Sequence, residues 1–201
     1  MKKKIAVIGA SGTIGAAVVQ KLRDLGHEVL EVSRNGEYKI DITDTNSIAN
    51  FYQQAKNLDA IVVTTGKVKF AHLIDMNNET YMFGLQNKLM GSINLVLEGL
   101  KHLNKNGSFT LTSGIINREP IRLGTSAAMV NGALEAFVKS AACELPNDLR
   151  INIVSPTILT ESYDKYHDYF AGFKSVSAQK VADTYVKSIL GIQTGNVYIV
   201  G

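Results

Sequence analysis

The chain has 201 residues, of which 45% are hydrophobic and 19% charged, and its formal net charge is +3. These values are typical of one globular domain with a full core, and they exclude a disordered chain. A single cysteine, Cys143, excludes a disulfide scaffold and fits the reducing cytoplasm. Because the histidines lack ligand spacing and no basic face carries interleaved aromatics, we expect no metal and no nucleic-acid partner.

The N-terminal segment has two interpretations. Lys2–Lys4 precede an uncharged stretch, Ile5–Gln20, which is the order found in a secretory signal peptide. Glycine and hydroxyl residues interrupt that stretch, however, so we prefer a strand, a glycine turn and a helix. No other stretch of about 18 apolar residues occurs, so we predict neither a transmembrane helix nor a membrane partner.

Short apolar segments alternate with helical patterns along the chain. Lys3–Gly9 is apolar without alternation, which is typical of a strand buried in a parallel sheet. The other predicted strands are Glu28–Ser33, Asp59–Thr65, Gly107–Ser113, Arg150–Ser155 and Asn196–Val200. Apolar residues at helical spacing predict helices over Ile14–Leu25, Thr45–Ala55, Asn78–Leu103, Ser126–Leu145 and Ser177–Leu190. We therefore predict one α/β domain over residues 1–201, a Rossmann-type doubly wound parallel sheet of about six to seven strands.

The connection after the second strand is too short for a helix. Ser33 ends that strand, and Asp41 follows only eight residues later. A crossover connection needs about a dozen residues. We therefore predict that the helix between strands two and three is absent, and that Tyr38–Ile42 is a short edge strand or an extended loop.

A glycine-rich loop, Gly9–Gly15, lies between the first strand and the first helix. Glycines at this spacing allow a tight turn, close approach of a pyrophosphate to the backbone, and close packing of helix on strand. The alternative is a glycine turn without a ligand, but the strand before and the helix after favour dinucleotide binding. The predicted binding residues of the loop are Gly9, Ser11, Gly12, Thr13, Ile14 and Gly15.

The end of the second strand indicates which dinucleotide is bound. Ser33 and Arg34 stand where an acidic residue usually accepts a hydrogen bond from the adenosine ribose. A hydroxyl and a guanidinium attract a 2′-phosphate, whereas a carboxylate repels it. We therefore predict NADP(H) rather than NAD(H). In the alternative interpretation Arg34 is a solvated turn residue, and Glu31 or Glu37 supplies the acid.

Several further residues fall in an order and spacing that resembles the short-chain dehydrogenase/reductase family over nearly the whole chain: Asp41-Ile42, Gly66, Asn87, Ser113, Glu144-Leu145 and Ser155-Pro156. The resemblance implies an oxidoreductase that acts on a small carbonyl or alcohol. It also implies that the cofactor is held by Asp41, Ile42, Thr65, Gly66, Pro156 and Thr160, and that the catalytic residues are Ser113 and Asn87. A homodimer or homotetramer, paired through the helices after the fourth and fifth strands, is implied as well.

One departure from the family pattern affects the chemistry. The family uses a Tyr four residues before a Lys on the helix after the fifth strand, and the register set by Glu144-Leu145 puts Ala127 and Asn131 there. No Tyr or Lys occurs between Gly124 and Val138. Loss of a general acid typically lowers the rate by ~10²–10⁴-fold. The alternative to an enzyme is therefore a non-catalytic NADP(H)-binding sensor or regulatory protein.

Other polar residues are weaker candidates for the site. The resemblance implies that Tyr163–Phe173 is a substrate lid. A tyrosine of this segment or His167 either replaces the missing acid or, in the interpretation that we prefer, packs within the lid or contacts the substrate. Lys88 follows Asn87 and is expected to face away from it, because neighbours on a helix do not share a face. Arg118 and Arg122 either bind an anionic substrate or are solvated loop charges.

Overall fold

The computed structural model describes residues 1–201. Its strands are β1 Lys4–Ile8, β2 Glu28–Ser33, β3 Tyr38–Lys39, β4 Leu58–Val63, β5 Leu103–Thr112, β6 Arg150–Pro156 and β7 Val197–Val200. All pair in parallel in one seven-stranded sheet of order β3-β2-β1-β4-β5-β6-β7. The predicted Rossmann-type doubly wound sheet is confirmed.

Helices cover both faces of the sheet. They are α1 Thr13–Asp24, α2 Thr45–Gln54, α3 Asn78–Gly84, α4 Gly91–Gly99, α5 Thr125–Ala141, α6 Tyr163–Tyr166 and α7 Ala178–Leu190. On one face α1 and α7 bury residues such as Leu22 and Tyr185 against the strands, and on the other α2, α4 and α5 bury residues such as Phe51, Leu95 and Leu134. None of the helices combines the length and the apolar character needed to cross a membrane.

The connection from β2 to β3 contains no helix, as the chain length predicted. β3 has only two residues and pairs in parallel with the end of β2, Val32 with Tyr38 and Ser33 with Lys39. The backbone N–H of Ile40 then donates to the carbonyl of Ser33 at 3.2 Å. The chain therefore returns to the carboxyl end of the sheet within a few residues and leaves the end of β2 uncovered.

The predicted single helix Asn78–Leu103 is wrong in two respects. Its middle, Leu85–Met90, is a π-helical segment between α3 and α4, and the helix ends at Gly99 in a turn that leads into β5. Apolar spacing does not distinguish i→i+5 from i→i+4 hydrogen bonding over so short a segment. The difference matters because Asn87 and Lys88 lie in the π-helical segment, and such segments often occur at functional sites.

Candidate active site

A cleft of about 310 Å³ opens at the carboxyl ends of β1 and β2, and we call it the first cleft. Its lining includes the glycine loop, the end of β2, the chain after β3 and the loop after β4. Eight of the predicted site residues meet there: Gly9, Ser11, Ser33, Arg34, Asp41, Ile42, Thr65 and Asn87. The site was predicted from segments far apart in sequence, and the fold brings these segments to one sheet edge.

The glycine loop is shaped by close backbone contacts. Gly9 has a φ of +91°, and a Cβ there would lie 2.9 Å from Thr64 Oγ1. A Cβ on Gly15 would lie 2.1 Å from the Gly9 carbonyl oxygen, so α1 packs directly on the turn. The first residues of α1 are Thr13 and Ile14, directly after the N-cap residue Gly12. No side chain caps this helix N-terminus. The loop therefore offers the backbone N–H groups of a helix N-terminus to an anion.

The β2 end of the first cleft carries a positive charge. Arg34 is exposed and forms no ion pair with a protein carboxylate. Glu31 instead pairs with Arg23 at 2.6 Å, and Glu31 and Glu37 line a different hollow from Arg34. Asp41 shares the cleft, and hydrogen bonds from the Thr43 side chain and backbone, with a smaller effect of the Arg34 charge, lower the pKa of its carboxyl, but Asp41 forms no ion pair with Arg34. The guanidinium is thus available to a ligand.

Asn87 and Gly66 join the loop after β4 to the π-helical segment. Asn87 Oδ1 accepts a hydrogen bond of 2.7 Å from the Lys67 backbone N–H. Gly66 has a φ of +129°, and a Cβ there would lie 2.7 Å from Lys88 Cγ. The side chain of Lys88 therefore passes directly beside the cleft-lining segment Thr65–Lys67, which requires glycine at its centre.

Lys88 faces the site, contrary to the expectation that it points away. Its Nζ donates to Asn131 Oδ1 at 2.7 Å and to the Ser113 carbonyl at 3.2 Å. The wider turn of the π-helical segment separates consecutive side chains by a smaller angle than an α-helix does, so Asn87 and Lys88 both reach this edge of the sheet. Burial lowers the pKa of Lys88 to about 8, although Glu135 opposes the shift.

Ser113 directly follows β5. Its carbonyl accepts from Lys88, and its hydroxyl contacts a residue of α5. Its hydroxyl donates to Glu135 Oε1 at 2.7 Å, and Asn117 Nδ2 donates to Oε2 at 2.9 Å. Arg118 Nη1 lies 2.7 and 2.6 Å from the two carboxylate oxygens, and its Nη2 donates to Ser155 Oγ at 2.6 Å. Arg118 is therefore paired with Glu135 rather than open to an anion, and it holds Glu135 in place although part of its side chain is exposed.

Glu135 was missed by the sequence analysis. Burial raises the pKa of its carboxyl, but the hydrogen bonds from Arg118, Ser113 and Asn117 outweigh burial and lower it. The group is ionised at neutral pH, so the Ser113 hydroxyl hydrogen points at the carboxylate and its lone pairs remain as acceptors. A signal existed, because Ala127, Asn131 and Glu135 are spaced by four residues and share a face of α5.

The two positions where the resemblance implies Tyr and Lys have different surroundings. Ala127 is buried and packs with Ile115 and Ile116, so it contributes packing only. Asn131 is buried beside the site, where its Nδ2 donates to the Gly114 carbonyl at 3.2 Å while its Oδ1 accepts from Lys88. An ammonium from the π-helical segment thus lies next to the residue where the helix lysine was expected.

A second cleft, of about 580 Å³, lies on the far side of the loop after β4. Its lining is mostly apolar and includes the lid residues Tyr166, Tyr169 and Phe170, with Arg122 at its edge. Tyr163 instead stacks on His167, with ring centroids 5.7 Å apart. The predicted nicotinamide segment leads into this cleft: Pro156 ends β6, and the Thr160 hydroxyl donates to Ser175 Oγ at 3.1 Å.

Comparisons with known proteins place this site in a family. A family model described as Enoyl-(Acyl carrier protein) reductase matches residues 9–189. An uncharacterized oxidoreductase of Staphylococcus epidermidis is 24% identical, with 94% of this chain and 92% of that protein aligned. A short-chain dehydrogenase/reductase of Acremonium sp is 26% identical, with 82% of this chain and 75% of that protein aligned.

Solved structures agree with this fold. The protein lin1944 from Listeria innocua is 48% identical, with a TM-score of 0.96 over 99% of this chain and 100% of that one. A small-chain dehydrogenase in complex with NADPH is 26% identical, with a TM-score of 0.88 over 100% of this chain and 97% of that one. The chain belongs to the short-chain dehydrogenase/reductase family, and it is an oxidoreductase of that type.

Proposed function

We propose that this protein is an NADP(H)-dependent oxidoreductase that interconverts a small carbonyl compound and its alcohol. The observation that carries the proposal is the free guanidinium of Arg34, which lines the first cleft together with the glycine loop. A family relative of known structure binds NADPH, which supports the same cofactor here. The exposed free thiol of Cys143 supports a reducing compartment, and we propose the cytoplasm.

The residues of the first cleft suit a dinucleotide phosphate. Gly9, Ser11, Gly12, Thr13, Ile14 and Gly15 would hold the pyrophosphate at the N-terminus of α1. Ser33 and Arg34 would bind the 2′-phosphate, Asp41 and Ile42 the adenine, and Thr65 and Gly66 the chain towards the nicotinamide. Pro156 and Thr160 would flank the nicotinamide ring. When bound, the nicotinamide supplies or accepts the hydride of the reaction.

Ser113 and Asn87 are the proposed catalytic residues from this chain. The Ser113 hydroxyl, oriented by Glu135, would accept a hydrogen bond from an alcohol, or rotate to donate to a carbonyl oxygen. Asn87 holds the segment Thr65–Lys67 against the first cleft. The apolar second cleft supports a substrate whose body is apolar, with the lid residues Tyr166 and Tyr169 in contact with it.

A non-catalytic NADP(H)-binding protein is the second candidate. Ala127 is packed in the interior where a phenol would be expected, which favours this candidate. Both candidates require the first cleft to bind the same cofactor. They differ in turnover, so binding and turnover are measured separately.

Fluorescence titration with NADPH and NADH tests the cofactor. A charge-assisted hydrogen bond contributes about 1.5–3 kcal/mol, so we expect Arg34→Ala to weaken NADPH binding by about 10–100-fold and NADH binding little. Arg23→Ala is the matched control, because Arg23 lies nearby but is paired with Glu31 outside the first cleft. Equal affinity of the wild type for the two dinucleotides would refute the assignment of Arg34.

Turnover is then followed as NADPH oxidation with a panel of aliphatic and aromatic aldehydes, ketones and diketones. The enzyme proposal expects oxidation with at least one carbonyl compound and a lower rate for Ser113→Ala at unchanged NADPH affinity. Tight NADPH binding without turnover of any compound would instead support the sensor.

A further inference from the structure

The ammonium of Lys88 is a titratable group of the site to which the proposed function gives no role. It lies between α5 and the end of β5, held by Asn131 Oδ1 and the Ser113 carbonyl. An ammonium has three N–H donors, and protein acceptors occupy two of them. The third N–H has no protein acceptor.

The position of Lys88 relative to the first cleft is set by its neighbours. Asn87, one residue before, lines the cleft, and Gly66 packs on the Lys88 side chain between two further lining residues, Thr65 and Lys67. Ser113, whose carbonyl accepts from Lys88, directly follows β5. The Lys88 side chain therefore runs beside the Thr65–Lys67 wall of the first cleft, and its amino group ends at the Ser113 carbonyl.

The burial of Lys88 and the charges around it together set the pH range in which its amino group gains and loses a proton. Burial lowers the pKa of its ammonium to about 8. Glu135 of α5 favours the charged form, but Arg118, from the loop after β5, neutralises most of that carboxylate. Lys67, from the loop after β4, is a further positive charge lining the adjacent cleft. A group with a pKa close to the working pH is suited to general acid–base catalysis.

We propose that the Lys88 ε-amino group is the proton-exchanging group of this site. During reduction one N–H bond of the ammonium would break as an O–H bond forms on the substrate oxygen, and a bound reduced nicotinamide would supply the hydride to the carbonyl carbon. During oxidation the free amine takes the proton from the alcohol, and exchange with water resets its charge. This inference rests on the proposed function, because the oxygen is that of the carbonyl or alcohol substrate.

The proposal has a consequence that needs no substrate. The nicotinamide ring of NADP⁺ is positively charged and that of NADPH is neutral, while both carry the same phosphates. If the bound nicotinamide lies near Lys88, a protonated ammonium would oppose NADP⁺ alone, so NADP⁺ affinity should increase as Lys88 loses its proton. We expect the ratio of the NADP⁺ and NADPH dissociation constants to fall on the order of tenfold between about pH 7 and pH 9.

The first measurement is a titration of the ligand-free protein labelled with ¹³C at the lysine ε-carbons. One resonance should titrate near pH 8, below the ordinary lysine value of about 10.4, and it should be absent from Lys88→Met. It should persist in Lys105→Met, the matched control, because the Lys105 side chain is 72% exposed. Titration of the Lys88 resonance at the ordinary lysine value of about 10.4 overturns the proposal.

The second measurement is calorimetric binding of NADP⁺ and NADPH across the same pH range. The pH dependence of the affinity ratio should disappear in Lys88→Met and in Lys88→Arg, which keeps the charge but does not titrate. Lys88→Arg also guards against a folding defect, since it preserves a cation at the site. A ratio that changes with pH equally in all variants overturns the proposal. Failure of both dinucleotides to bind would instead refute the proposed function, and this inference with it.

Discussion

Glu135 is the residue whose removal should most clearly test the described site. Its carboxylate is nearly buried and accepts hydrogen bonds from Ser113, Asn117 and Arg118. Removal of one partner of a buried ion pair costs about 3–5 kcal/mol, but the Arg118 side chain is 30% exposed and water can solvate part of its charge. We therefore expect Glu135→Ala to lower the free energy of unfolding by about 3 kcal/mol.

Thermal and urea unfolding measure this loss. For a chain of this length, about 3 kcal/mol corresponds to a decrease in Tm of about 6–12 °C. Glu135→Gln keeps the shape of the side chain and one acceptor oxygen but loses the charge. We therefore expect it to lower the free energy of unfolding by about 2 kcal/mol. Glu144→Ala is the control, since Glu144 is exposed and has no ion-pair partner, and a change within about 0.5 kcal/mol is expected.

The pH dependence gives an independent check on Glu135. The hydrogen bonds place the pKa of the folded carboxyl below the ordinary glutamate value of about 4.3. Its contribution is therefore fully present above that value and is lost as the pH falls through the lower folded pKa. The stability difference between wild type and Glu135→Gln should be constant from about pH 5 to 8 and shrink in stronger acid. Equal stability of Glu135→Ala and Glu144→Ala would refute the reasoning.

Three further predictions concern the scaffold. Gly15→Ala should prevent folding or lower Tm severely, because its Cβ would lie 2.1 Å from the Gly9 carbonyl oxygen, and circular dichroism will show whether the fold survives. Tyr185→Phe should cost about 1 kcal/mol in urea unfolding, because the buried Tyr185 hydroxyl donates to Thr112 Oγ1, whose own hydrogen goes to the Val63 carbonyl. Sedimentation at micromolar concentration should show a homodimer or homotetramer, and a monomer would contradict this prediction.

The parts of the fold that depend on local spacing were predictable. The glycines at 9, 12 and 15, with a strand before them and a helix after, indicate a phosphate loop, and the interval from Ser33 to Asp41 excludes a helix because of chain length. Such features depend only on neighbouring residues. The sheet then brings the loop, Arg34, Asp41 and Asn87 to one edge, as the order of parallel strands requires.

The rearranged part of the site was not predictable in the same way. Lys88 reaches Asn131 because a π-helical segment changes the direction of its side chain, and apolar periodicity does not reveal such a segment. Arg118 and Glu135 pair across 17 positions of sequence and belong to no motif that spacing would detect. Only the four-residue interval between Asn131 and Glu135 indicated that Glu135 shares the inner face of α5.

The two-residue strand β3 also affects how the molecule meets other chains. A sheet edge presents unpaired N–H and C=O groups, and long flat edges promote aggregation by strand addition. β3 offers only two residues for such pairing, whereas the opposite edge, β7, offers four and exposes 58% of Ile199. The short connection that leaves Arg34 open to a ligand therefore also blunts one sheet edge, so strand addition by another molecule is favoured only along β7.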